Sequence, residues 1–112
     1  MEFSFSSGRL RKELSDDKQM ARAFGDRAKS LRLRLAVLAE AKCLADVPTG
    51  TPDHCHALKR DRKGQFSVTL HANWRLVFRP NHNPLPQLKD GGLDLSAVTS
   101  IELIEVVDYH GN

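Results

Sequence analysis

The hydrophobic period changes once along this chain, and that change constrains the fold more than any other feature. Met20, Phe24, Ala28, Leu31, Leu35 and Leu38 recur at steps of three and four, the spacing of one helical face. Beyond Phe66 the step is two, with Phe66, Val68 and Leu70 alternating with Ser67 and Thr69. Between the two regimes, Ala45-Asp46-Val47-Pro48-Thr49-Gly50-Thr51-Pro52 is a turn-rich linker. A helical half is therefore followed by a strand half, and the apolar face of the strands is expected to lie under the helices.

The signals at each end refine that division. Glu2 to Ser6 alternates around Phe3 and Phe5, as a short strand with one buried face would. Ser6-Ser7-Gly8 offers a helix start, and Arg9 to Leu14 reads as a short helix. Ser15-Asp16-Asp17 is a second N-cap signal opening the long amphipathic helix, in which Gly25 marks a kink or a break into two shorter helices. In the second half, Phe66 to Leu70 and Trp74 to Phe78 form a hairpin around His71-Ala72-Asn73. Phe66, Val68, Leu70, Trp74, Leu76 and Phe78 share the core face, leaving Ser67, Thr69 and Arg75 on the other. Pro80, Pro84, Pro86 and Asp90-Gly91-Gly92 argue for a long excursion between strands. Ile101 to Val107, apolar on both sides, is the last strand, and it delivers Asp108-Tyr109-His110 at its end.

At 112 residues and 40% hydrophobic, the chain is expected to form one domain over residues 1–112 without disulfides or a structural metal. No window reaches the apolar length of a membrane span, and the start lacks the basic-then-apolar order of a signal peptide, so a cytoplasmic location is expected. Cys43 and Cys55 then read as free thiols. Together with His54, His56 and His110 they match no standard zinc spacing, so no metal or other cofactor is expected. The net charge of +3 hides an asymmetry: residues 56–79 carry six Lys/Arg against one Asp, whereas residues 80–112 carry one Lys against five acids. A local basic patch suits a polyanion bound at one place, although charge runs are often only solvated faces.

The stretch from His56 through Arg75, with Asp108-Tyr109-His110, holds every residue type needed to cleave RNA without a metal. The 2′-hydroxyl of RNA is already a nucleophile. A protein has only to orient it, help remove its proton, neutralise the phosphorane charge and protonate the leaving oxygen, and Lys, Arg, His and Tyr cover those roles.

Three motifs in this order carry a resemblance: His56-x-Leu58-Lys59-x-Asp61-Arg62-Lys63-Gly64-x-Phe66-Ser67, the Asn73-Trp74-Arg75 step, and Val107-Asp108-Tyr109-His110. With them the chain resembles toxins of the RelE/ParE superfamily, and within it the HigB-type group of plasmid maintenance killers. The likeness spans nearly the whole chain, though the opening Glu2 to Ser7 and the insertion before the last strand depart from shorter members. It implies an α+β, RelE-like fold, with about two N-terminal helices packed on a small twisted, mainly antiparallel sheet. It also implies a ribosome-dependent endoribonuclease that cuts translated mRNA in the aminoacyl site, and a HigA-type helix-turn-helix antitoxin as partner.

Within that reading the residues take roles by their chemistry. Arg75 binds the scissile phosphate through its guanidinium fork, against the alternative of a structural salt bridge. Lys59 and Arg62 complete a cationic cradle or, as surface charges beside Arg60 and Lys63, raise affinity for RNA and the ribosome. His110 and His56 are the acid and base, since imidazole titrates near neutrality; His56 has supporting the fold or stacking on a base as alternatives. Tyr109 stacks on a nucleotide or donates to a phosphate oxygen. Asp108 orients His110 or Arg75, or simply caps its strand. Two other functions share the scaffold: a ParE-like poison of DNA gyrase, and an inactive regulator kept bound to an antitoxin.

Overall fold

The computed structural model of the protein describes residues 1–108; Tyr109 to Asn112 lie outside the described residues. Among the described residues five strands form one sheet: β1 (Glu2–Phe5), β2 (His56–Ala57), β3 (Phe66–Thr69), β4 (Trp74–Pro80) and β5 (Ser100–Asp108). Their spatial order is β1-β5-β4-β3-β2. Only the β1–β5 pair is parallel, so the sheet is mainly antiparallel, as expected.

Three helices rather than two cover one face: α1 (Gly8–Glu13), α2 (Asp17–Phe24) and α3 (Ala28–Glu40). The side chains of Ser7 and Asp16 cap α1 and α2 by accepting from the amides of Leu10 and Gln19. Gly25 ends α2 at φ 57° and ψ −124°, a conformation that only glycine adopts without strain, and a single 3₁₀ turn through Arg27 restarts the chain as α3. The hydrophobic period survives this break. Met20, Phe24, Ala28, Leu31 and Leu38 all enter a core shared with Phe66, Val68, Leu70, Leu76, Phe78, Ile101 and Leu103 from the sheet.

Arg34 is the exception on α3, only 8% exposed. Its Nε donates to the Thr69 carbonyl at 2.7 Å and lies 3.6 Å from Asp53 Oδ1, itself buried. That carboxylate oxygen is within ion-pair range but has no hydrogen bond. The pair locks α3 to the end of β3 and to the linker, whose Asp53 carbonyl also accepts from the Thr69 amide at 2.8 Å.

The excursion before β5 is built from local bonds. Gln87 pairs with Leu93, and Asp94 caps a 3₁₀ turn over Leu95–Ala97. His82 Nε2 accepts from the amides of Thr99 and Ser100 at 3.1 and 3.3 Å, pinning the loop to the start of β5. The sequence assigned His82 no role.

Candidate functional site

The hairpin forms as its sequence predicts. The Leu70 amide donates to the Trp74 carbonyl and the Trp74 amide to the His71 carbonyl, closing a three-residue loop over His71, Ala72 and Asn73. Register then decides which side chains share the face turned away from the helices. His56, Ser67, Val77 and Glu105 form one cross-strand row, and Thr69, Arg75 and Val107 form the next. Such rows lie roughly 7 Å apart along a strand.

Arg75 is half-buried on this face. Its Nη1 donates to the Ala72 and Trp74 carbonyls, at 3.3 and 3.1 Å, and none of the ion pairs among the described residues involves it. Two carbonyls orient the guanidinium without neutralising it. Arg27 of the 3₁₀ turn stacks 3.7 Å over the Trp74 ring, so the residue before Arg75 is clamped from the helical side.

Ser67 was expected on the open face, yet it and its cross-strand neighbour Val77 are completely buried. Arg62 leaves the 3₁₀ turn Arg60–Arg62 and donates through Nη1 to Gln65 Oε1 and through Nη2 to Glu105 Oε2, both at 2.9 Å. Because Glu105 is on β5, this pair ties the turn before β3 to the far strand of the row. Glu105 was not anticipated from the sequence, and neither was the device that aims it. A β-bulge between Val77 and Phe78 leaves Ile104 as the extra residue of β5. Glu102 and Glu105, three apart, thereby face the same way; Glu102 holds Arg79 at 2.6 Å.

His56 lies on the outermost strand of the same row. Its Nδ1 is 3.1 Å from the His54 carbonyl, which can only accept, so Nδ1 carries a proton and Nε2 is the nitrogen left to exchange one. Lys59, Arg60 and Lys63 surround the turn at the hairpin's far end, all exposed, with Arg60 in the left-handed region at φ 58°. The register thus brings Arg75, Arg62 and His56 to one face, with Lys59, Arg60 and Lys63 at its rim. Asp108 ends β5 opposite Trp74 and is exposed. Tyr109 and His110 lie outside the described residues.

Cys43 and Cys55 are free thiols. Burial, helped by the Asp53 carboxylate, pushes the Cys55 thiol up to about 11. It is therefore protonated at neutral pH and is no nucleophile. Among the described residues no group of three or more His, Cys, Asp and Glu is arranged to hold a metal ion, and no helix is long and apolar enough to cross a membrane.

No family model matches this sequence, and no curated protein matches it. Solved structures do. A YoeB/ParE toxin from Agrobacterium tumefaciens superposes with a TM-score of 0.57 at 14% identity, covering 98% of this chain and 100% of that one. At so low an identity the likeness is one of architecture, and it establishes that this chain has the α+β toxin fold of the RelE/YoeB type.

Proposed function

We propose that this protein is the toxin of a toxin–antitoxin pair, of the HigB type, and that it cleaves translated mRNA on the ribosome. Arg75 carries the reading. A guanidinium fixed by two carbonyls, with no acid against it among the described residues, on the face the helices leave uncovered, is preorganised for a phosphate.

In the proposed reaction the 2′-hydroxyl attacks the adjacent phosphorus, and the bond to the 5′-oxygen of the next nucleotide breaks, leaving a 2′,3′-cyclic phosphate. Arg75 neutralises the charge that develops on the non-bridging oxygens. His56 Nε2 is the acceptor for the 2′-hydroxyl proton, and His110 is the donor to the leaving oxygen. Asp108 and Tyr109 orient His110 and the nucleotide. Lys59, with Arg60 and Lys63, supplies the cationic rim along which RNA approaches. Arg62, neutralised by Glu105, contributes more to holding the face in shape than to charge. The cognate partner in this reading is a HigA-type helix-turn-helix antitoxin, and the site of action is cytoplasmic.

The test is to induce the protein and its Arg75→Ala variant in a bacterial host and map new RNA 5′ ends. Growth arrest with cuts confined to translated frames, lost in a variant that stays folded, is the expected result. Arrest without cuts contradicts the reading and points to gyrase. No arrest by the unaltered protein points to a regulator without activity.

A further inference from the structure

The uncovered face continues past Arg75. Alternation along β4 puts Arg79 on the same side, four residues and about 13 Å further along the strand. There the turn before β3 and the excursion after β4 border a cleft of about 370 Å³, walled by Lys63, Gly64 and Gln65 on one side and by Arg79, His82 and Leu85 on the other. That volume falls within the range of small-ligand sites, roughly 300–1,000 Å³.

The cleft is rich in donors that no acceptor answers. Arg79 uses its Nε to hold Glu102, and its two terminal nitrogens have no partner among the described residues. The Lys63 ammonium is exposed and forms no ion pair among them. His82 is fixed in one tautomer: its Nε2 accepts from the amides of Thr99 and Ser100, so the lone pair is turned to the backbone and the ring proton is on Nδ1. That N–H, too, has no partner among the described residues. The acceptors nearby are occupied, Gln65 Oε1 by Arg62 and Glu102 by Arg79, which leaves the charge of Lys63 uncompensated. A surplus of donors with a net positive charge suits an anion. Leu85, 48% exposed, gives the cleft one apolar wall.

We propose that this cleft is a second phosphate subsite for an RNA strand, added to the fold by the excursion between β4 and β5. Arg79, Lys63 and the His82 Nδ1–H donate to the phosphate oxygens, and the adjoining ribose or base lies against Leu85. Its separation from Arg75 corresponds to roughly four nucleotides at the stacked rise of about 3.4 Å, or about two in a fully extended strand. A strand is a better source of the phosphate than a free nucleotide, because the cleft shares one face of the sheet with Arg75 and offers a single exposed leucine where a nucleobase pocket would be lined mainly by apolar side chains. The inference rests on the reading that Arg75 binds the scissile phosphate.

The test uses the full chain and a 2′-O-methyl RNA hexamer, which has no free 2′-hydroxyl and stays intact, in a series where one linkage at a time is a neutral methylphosphonate. Fluorescence anisotropy at low salt reads binding by the unaltered protein, Arg75→Ala, Arg79→Gln and His82→Gln. Glutamine at 82 keeps an acceptor for the Thr99 and Ser100 amides and removes the ring N–H. The expected result is two sensitive linkages, two to four apart, each weakening binding roughly tenfold when neutralised, about 1.4 kcal/mol. Arg75→Ala should abolish the sensitivity of one, and Arg79→Gln and His82→Gln that of the other, with circular dichroism unchanged. A single sensitive linkage that answers to Arg75 overturns the subsite and leaves the reading of Arg75 standing. No binding, or no linkage that answers to Arg75, overturns both. Uridine 5′-monophosphate supplies the other arm: saturable shifts of the Gly64 and Gln65 amides at concentrations lower than the hexamer needs would assign the cleft to a free nucleotide and overturn the strand.

Discussion

Among the described residues Arg75 forms no ion pair, so its placement calls for another reason. At Arg75 the reason offered here is a phosphate. Replacing it with alanine is expected to lower the cleavage rate by about 100-fold or more, the usual cost of one preorganised group facing a developing oxyanion. Thermal denaturation should scarcely move, because the lost bonds to Ala72 and Trp74 are partly exposed. Cys55 is the opposite case, a reactive residue type made inert. At pH 8 a maleimide is expected to modify the half-buried Cys43 and leave Cys55 untouched until the protein unfolds. The folded value, about 11, lies above the ordinary 9.0. The unfolded chain therefore loses this proton first, and the contribution to stability is full below pH 9 and disappears as pH rises through 11. Denaturant midpoints measured from pH 8 to pH 11 against Cys55→Ala test the sign.

The elements depend on a few such residues. Gly25 holds a backbone conformation closed to side chains, although nothing lies within 4 Å of where a Cβ would stand. Gly25→Ala is therefore expected to destabilise by about 1–3 kcal/mol through backbone strain alone, read as a shift in denaturant midpoint. The Arg34–Asp53 pair ties α3 to β3 in the dry interior. Arg34→Met strands a buried carboxylate and is expected to cost about 3–5 kcal/mol, whereas Arg34→Met with Asp53→Leu should recover most of it. A double-mutant cycle in urea measures both. The sequence shows the first of these devices and hides the second. A glycine interrupting a helical period is visible in one dimension. An arginine on a mostly apolar helix looks like a surface charge until the fold brings Asp53 to it from 19 residues away. Arg62 and Glu105 are hidden for the same reason, with the added difficulty that a bulge, which leaves no signature here, resets which residues of β5 face outward.

At the scale of the molecule, the change of hydrophobic period correctly divided the chain into a helical layer and a sheet, because burial of one face per element is decided locally and repeats. Alternation within the hairpin was enough to put Arg75 on the uncovered face. It was not enough to say that Ser67 and Val77 would be buried or that Arg62 would meet Glu105, since that depends on how four strands line up. The same uncovered face gives the reading its consequence for binding. Lys59, Arg60 and Lys63 stand exposed around one turn, so association with ribosomes is expected to weaken steeply with salt, and substituting each lysine should lower that slope without abolishing cleavage. The most direct measurement is single-turnover cleavage of a defined mRNA in purified, translating ribosomes by the unaltered protein, by Arg75→Ala and by Arg75→Lys. Cleavage within the frame that leaves a cyclic phosphate, falls about 100-fold or more in Arg75→Ala and is only partly restored by Arg75→Lys, which keeps the charge and loses the fork, is what the account predicts. An intact mRNA, or equal rates for all three proteins, would contradict it.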